Sequence, residues 1–375
     1  MAEMTSIMAS RSLLDDTQTA VSALDEEDDG AVDKVWPSKD SQVSIALLRF
    51  MEMIHLIKTG VHTELEPVQH QGTLGEGLSF SVKEHIRSQS NKKVLKVFKH
   101  NLTPGHPSAF DPKSFETLMM EAYVLGFEPI KRHENIITMS AVTWAVRSQD
   151  PIQISPALEI ERAPYGDLTS FQSSVPESKV TWNMRKMLCY DIAAGLEVLH
   201  GCGIVHGDLK GENVLIFNHP TRGYVAKISD FGSAVILPPS GFDSSRMMRI
   251  PVFTVPWNAP EIFRPIAVDK LHLADLFSLG LLIWKVLVHG DPFRTFDLPL
   301  HMTTRVQEIQ KILDLPDLPG FIPQFIEEEV GFLEVGEVAL LLRLFACSVN
   351  KVPEKRSLER VLELLFPHCG RGSSQ

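Results

Sequence analysis

The chain reads as an α+β protein of two lobes, a small strand-rich one followed by a larger helical one. Three observations carry that reading. Short strand-like runs occupy Pro67 to Lys99 and return from Ile136 to Ile160. After Asp167 the pattern turns to helices, with apolar residues three and four apart. The 375 residues, 44% of them hydrophobic, suffice for one large bilobal core.

Residues 1–40 carry the acidic run Asp25-Glu26-Glu27-Asp28-Asp29 and few large apolar side chains, which predicts a disordered, solvated tail. Over 41–67, Val43, Leu47, Phe50, Met51, Ile54 and Ile57 recur at helical spacing. An amphipathic helical extension is expected there, packed on the following domain or docking a partner. The domain proper is expected over 68–366, its small lobe over about 68–161 and its large lobe over about 162–366, with a flexible end at 367–375. One small-lobe helix is expected over Phe115 to Val124. Large-lobe helices are expected over Asn183 to His200, Leu273 to Val288, Val306 to Leu313, Val335 to Ala346 and Leu358 to Leu365.

A net charge of -11 argues against a nucleic-acid binder that works by bulk charge, and no nucleic-acid partner is expected. Cys189, Cys202, Cys347 and Cys369 form no C-x-x-C pair, so free thiols in a reducing compartment are expected and structural zinc is not. The first twenty residues lack a basic start and an apolar run. Leu273 to Val288 is apolar but short, and it contains Asp275 and Lys285, which favours a buried helix over a membrane span. An intracellular protein, cytoplasmic or nuclear, is the expectation.

Chemistry concentrates at four places. Leu74-Gly75-Glu76-Gly77 lies between strand-like runs, where glycines let backbone N–H groups approach phosphate oxygens, although a plain hairpin turn uses the same residues. Lys93-Val94-Leu95-Lys96-Val97-Phe98-Lys99 offers a strand lysine that could neutralise phosphate charge, and Glu121 in the following helix could hold it. In His206-Gly207-Asp208-Leu209-Lys210-Gly211-Glu212-Asn213, Asp208 can accept a proton from a hydroxyl held close to it. Lys210 can reach a transferring phosphoryl group, and Asn213 can turn its amide oxygen to Mg²⁺. Asp230, in Ser229-Asp230-Phe231-Gly232, is a second oxygen ligand.

In this order and spacing the motifs resemble the eukaryotic protein kinase family over roughly residues 68 to 366. His133-Glu134-Asn135-Ile136-Ile137 and Ala259-Pro260-Glu261 are further marks of the resemblance. It implies a bilobal protein-kinase-like fold, with ATP and Mg²⁺ as cofactors and a protein as substrate. It implies that Leu74, Gly75, Gly77, Val82, Lys96 and Glu121 bind ATP, with Ile160 as gatekeeper and the backbones of Glu161 and Ala163 meeting adenine. Asp208, Lys210 and Asn213 would be catalytic, and Asn213 and Asp230 would hold the metal. His206, Phe231, Gly232 and Asp275 would support the site, and Arg356 would pair with Glu261. Lys210, and Thr254 ahead of Pro256-Trp257-Asn258-Ala259-Pro260-Glu261, resemble the Ser/Thr branch.

Three departures from the pattern stand out. Phe80 replaces the third glycine of the Gly-rich loop. The strand lysine could be Lys96 or Lys99, with spacing in favour of Lys96. Gly207 replaces the Arg of H-R-D, which puts switching through a phosphorylated activation loop in doubt, although Ser240, Ser244 and Ser245 remain available. Two rival readings stay open: a pseudokinase scaffold, which Phe80 and Gly207 favour, and a small-molecule phosphotransferase of the same fold, which H-G-D favours. Lys210, the complete D-F-G and the A-P-E segment weigh against the second rival.

Overall fold

The computed structural model describes residues 60–67, 72–76, 80–84, 93–98, 112–147, 153–238, 246–250, 254–293, 296, 298, 302–331 and 333–366. The acidic run, the helical spacing from Val43 to Ile57, residues 367–375, Gly77, Lys99, Ser240, Ser244 and Ser245 all lie outside the described residues.

The small lobe is built on one six-stranded sheet. Its strands are β1 (Gly60–Pro67), β2 (Thr73–Glu76), β3 (Phe80–Glu84), β4 (Lys93–Phe98), β5 (Met139–Arg147) and β6 (Gln153–Glu161), ordered β1-β5-β6-β4-β3-β2. Strand β1 corrects the last part of the helical expectation for 41–67, because Gly60–Pro67 is extended and runs parallel to β5. The local sequence explains the change. The helical period stops at Ile57, Gly60 interrupts it, and Val61, Thr63 and Leu65 then alternate with His62, Glu64 and Glu66, the two-residue period of a strand. Helix α1 (Pro112–Gly126) contains the expected Phe115 to Val124 and buries Phe115, Leu118, Ala122 and Leu125. The short α2 (Glu128–Lys131) follows it.

In the large lobe, α3 (Leu168–Ser174) starts at Asp167, whose carboxylate accepts from the Ser170 N–H at 2.8 Å. Thr181 caps α4 (Trp182–Gly201) in the same way through the Met184 N–H. Between the two long core helices lie the short β7 (Ile204–Val205), the hairpin β8 (Val214–His219) and β9 (Gly223–Ile228), and β10 (Val235–Ile236), which pairs with β7. These strands set the loops 206–213 and 229–234 side by side. Then come β11 (Met247–Met248), paired with β12 (Ile266–Ala267), and α5 (Leu273–Leu287). Every residue of α5 from Ala274 to Leu287 is buried, as an all-round apolar helix requires. Among the described residues no helix is long and apolar enough to cross a membrane.

Helices α6 (Met302–Leu313), α7 (Leu318–Val330), α8 (Val335–Ala346) and α9 (Leu358–Leu365) complete the lobe. The last two have the expected bounds. Helix α7 was not anticipated, since Pro319 and Pro323 argue locally against a helix. Pro319 is accommodated in the first turn, where N–H groups have no intrahelical partner, and Asp317 caps the Gly320 N–H at 3.1 Å. Pro323 is buried with Ile322 and Ile326, so packing outweighs the lost hydrogen bond.

Candidate active site

The loop between β7 and β8 is fixed from below by Asp275 of α5. Its Oδ2 accepts from the His206 N–H at 2.8 Å and its Oδ1 from the Gly207 N–H at 2.9 Å, while His200 Nε2 lies 2.9 Å from Oδ2. Burial works against the Asp275 charge, but these hydrogen bonds outweigh it and hold the carboxyl below its ordinary value. His206 is fully buried, with Nε2 3.1 Å from the Ser229 carbonyl oxygen, which ties this loop to the next. Gly207 has φ 80°, and a Cβ there would approach the Ser233 carbonyl oxygen to 2.8 Å. A side chain at this position is therefore both strained and crowded.

Asp208 projects from this scaffold. Its Oδ2 is 2.6 Å from Lys210 Nζ, and its Oδ1 accepts from Thr254 Oγ1 at 2.7 Å. Lys210 also donates to Thr254 Oγ1 at 2.9 Å. Asn213 anchors the loop by donating from Nδ2 to the Asp208 carbonyl oxygen at 2.8 Å, a contact that uses the amide nitrogen and not the amide oxygen. The Ser229 N–H donates to the Asn213 carbonyl oxygen at 2.9 Å, so Asp230 follows directly beside Asn213. Asp230 has φ 63°, a conformation rare for a side-chain-bearing residue, and functional sites concentrate such strain. Phe231 is fully buried against the His206 ring, and a Cβ on Gly232 would lie 2.2 Å from Thr117 Cγ2 of α1, so a side chain there would force the Thr117 side chain to move.

Lys96 of β4 meets the same place from the small lobe. Its Nζ is 2.5 Å from Glu121 Oε2 of α1 and 2.9 Å from Asp230 Oδ1. Burial alone would lower the Lys96 pKa, yet the two carboxylates outweigh it and raise it above the ordinary lysine value. In return, the Lys96 charge holds the Asp230 carboxyl below its ordinary value against the opposing effect of burial. Two loops, a strand and a helix from both lobes thus converge on one cluster of Lys96, Glu121, Asp208, Lys210, Asn213 and Asp230.

The connection between the lobes follows β6. Ile160 is 7% exposed and pairs with Val94 across the sheet. The Glu161 N–H donates to the Thr138 carbonyl oxygen at 3.0 Å, so that backbone N–H is already committed, and the Ala163 carbonyl oxygen accepts from the Gly166 N–H at 3.2 Å. Leu74 is exposed on β2, and Gly75 pairs with the partly buried Val82 of β3.

Comparison with known proteins agrees with this geometry. Residues 68–341 match the family model described as the protein kinase domain. The chain belongs to the protein kinase family. Among its relatives, the dual specificity testis-specific protein kinase 2 of Homo sapiens is 36% identical over 267 residues, covering 70% of this chain and 39% of that protein. The serine/threonine-protein kinase ppk21 of Schizosaccharomyces pombe is 29% identical over 182 residues, covering 47% and 31%. The probable serine/threonine-protein kinase drkC of Dictyostelium discoideum is 33% identical over 137 residues, covering 36% and 17%. The chain thus spans well under half the length of each of these relatives.

The kinase domain carries a further ion pair below the site. Arg356 grips Glu261 with two hydrogen bonds of 2.5 and 3.0 Å, donates to the Asn350 and Leu273 carbonyl oxygens, and stacks its guanidinium 5.1 Å from the Phe277 ring centroid. Sequence reasoning missed the direct part Thr254 takes in the kinase site. The signal was its place ahead of the A-P-E segment, but its contact with Asp208 crosses 46 residues and only folding reveals it.

Proposed function

We propose that the chain transfers the γ-phosphoryl group of ATP to Ser or Thr hydroxyls of protein substrates. The observation that carries this reading is the Asp208 carboxylate, gripped by Lys210 and by the hydroxyl of Thr254. A carboxylate that already accepts one hydroxyl can orient another and take its proton. Lys210, 2.6 Å away, offsets charge on the moving phosphoryl group. Lys96, fixed by Glu121, faces the α- and β-phosphates. Leu74, Gly75 and Val82 cover the nucleotide from the sheet, and Ile160, Glu161 and Ala163 line the adenine end. Asn213 and Asp230 offer two hard oxygen donors, a set that suits Mg²⁺ when phosphate oxygens and water complete it. Among the described residues no three His, Cys, Asp or Glu side chains form a metal cage by themselves. Bound there, Mg²⁺ would supply charge neutralisation on the phosphates. Catalysis is then mostly positioning and electrostatics.

The test is transfer of radiolabelled phosphate by the full chain to an array of Ser, Thr and Tyr peptides, with Asp208→Asn as control. Labelling of Ser and Thr peptides is expected, with a loss of about 10²–10⁴-fold in the variant. Labelled Tyr peptides would extend the substrate class in the direction that the name of the human relative indicates. One observation favours a scaffold instead: the Phe80 ring stands 5.2 Å from Lys96 Nζ. Binding of Mg-ATP with no transfer above the Asp208→Asn control would make the scaffold the correct reading.

A further inference from the structure

The register of β3 on β4 puts Phe80 on the nucleotide side of the sheet. In an antiparallel pair, opposed residues share a face, and residues two apart on one strand share it too. Val82 opposes Lys96 and Phe80 opposes Phe98, so Phe80, Val82 and Lys96 all face the same way. Phe80 is only 6% exposed, and its ring centroid is 5.2 Å from Lys96 Nζ, within cation–π range.

An ammonium has three hydrogens to give. At Lys96 one goes to Glu121 and one to Asp230, and the Phe80 ring stands over the same nitrogen. A phosphate oxygen hydrogen-bonded to this nitrogen must come to about 2.7–2.9 Å. It would enter space beside the face of an aromatic ring, whose electron-rich surface repels an anion. A glycine in the same place would leave the approach open.

We propose that Phe80 is the residue that sets how much the phosphates contribute to nucleotide affinity. This rests on the reading of the cleft as an ATP site and deepens it. The ring shields the Lys96 ammonium, and polyphosphate binding requires the ring to turn away. Adenosine, which carries no phosphate, meets no such barrier.

The experiment is calorimetric titration of the full chain with adenosine, and with ATP in the presence of Mg²⁺, for wild type, Phe80→Ala and Phe80→Leu. Phe80→Leu keeps apolar volume in the sheet and guards against a folding failure of the alanine variant. In wild type, ATP should bind little more tightly than adenosine. Phe80→Ala should tighten ATP by about tenfold, or about 1.4 kcal/mol, with adenosine changed less than about twofold. Phe80→Leu should tighten ATP by a smaller factor, about threefold, since it removes the π face but not the bulk. ATP affinity unchanged or weakened in both variants, with adenosine still bound, overturns the role of Phe80 and leaves the nucleotide site standing. Absence of adenosine and ATP binding in all three proteins overturns the nucleotide site itself, and the role of Phe80 with it.

Discussion

Lys96 in the small-lobe sheet and Lys285 in the large-lobe helix α5 are both buried, 7% and 6% exposed, and they meet opposite fates. Lys96 has Glu121 and Asp230 on its ammonium, and its pKa rises despite burial. Lys285 makes no ion pair and no side-chain hydrogen bond among the described residues. Burial lowers its pKa, and Asp291, Glu212 and Asp167 counter that only from a distance. Of those three, Asp291 is already paired with Arg305, and Asp167 caps α3. The lesson concerns partners rather than depth. A buried cation held by carboxylates stays charged, whereas one without them is a burden on the fold.

The comparison is tested hardest at Lys96. Lys96→Met should lower phosphoryl transfer by at least about 10²-fold, the scale on which a single charge-stabilising donor acts. It should also cost about 3 kcal/mol of stability, because it strands Glu121, which is 2% exposed. Activity and a urea unfolding midpoint together check this. Full activity with Lys96→Met, and loss with Lys99→Met, would move the phosphate-facing role to Lys99.

Arg356 is a third buried cation and belongs with Lys96. Its side chain is fully buried and doubly bonded to Glu261. Glu261→Ala should destabilise the fold by about 3–5 kcal/mol, as removal of one partner of a buried pair does. Chemical denaturation reads the change, and a loss below about 1 kcal/mol would place Arg356 with Lys285 instead.

Much of the site was legible because its residues come in contiguous runs. Asp208, Lys210 and Asn213 share one loop, and Asp230 to Gly232 another, so the spacing along the chain already groups them. Lys96 and Glu121 were legible as a strand and a helix in the order of a known pattern. Features that depend on how elements meet were not. Thr254 reaches Asp208 across 46 residues, and the face taken by Phe80 depends on its register against β4. Strand β1 has a two-residue period of its own, but its partner β5 lies some eighty residues on, and the helical spacing before it masked the change. Helix α7 breaks the local rule on proline because packing at Ile322 and Ile326 overrides it.

The smallest expected effect is at Lys285, and its pH dependence separates the two lysines most cleanly. Lys285→Met removes a buried ammonium without stranding a carboxylate, so it should be neutral or stabilising by about 1 kcal/mol near pH 7. The sign of its pH dependence follows from proton counts. The folded-state pKa of Lys285 lies below the ordinary 10.5, so between those two values the unfolded chain binds more protons than the folded one. Wild-type stability therefore gains with rising pH in that window, relative to the variant, and the advantage of Lys285→Met shrinks as pH approaches 10.5. Lys96 behaves in the opposite sense. Its folded-state pKa lies above 10.5, so its contribution is fully present below that value and is lost only beyond it. Urea midpoints of wild type and both variants at pH 7 and pH 10 compare the two directly. The gap to Lys285→Met should close over that interval while the gap to Lys96→Met does not, because the stranded Glu121 carboxyl, its pKa raised by burial, only weakens that variant as pH rises. If the Lys285 gap widens instead, its ammonium has a partner in solution and the contrast between the two lysines collapses.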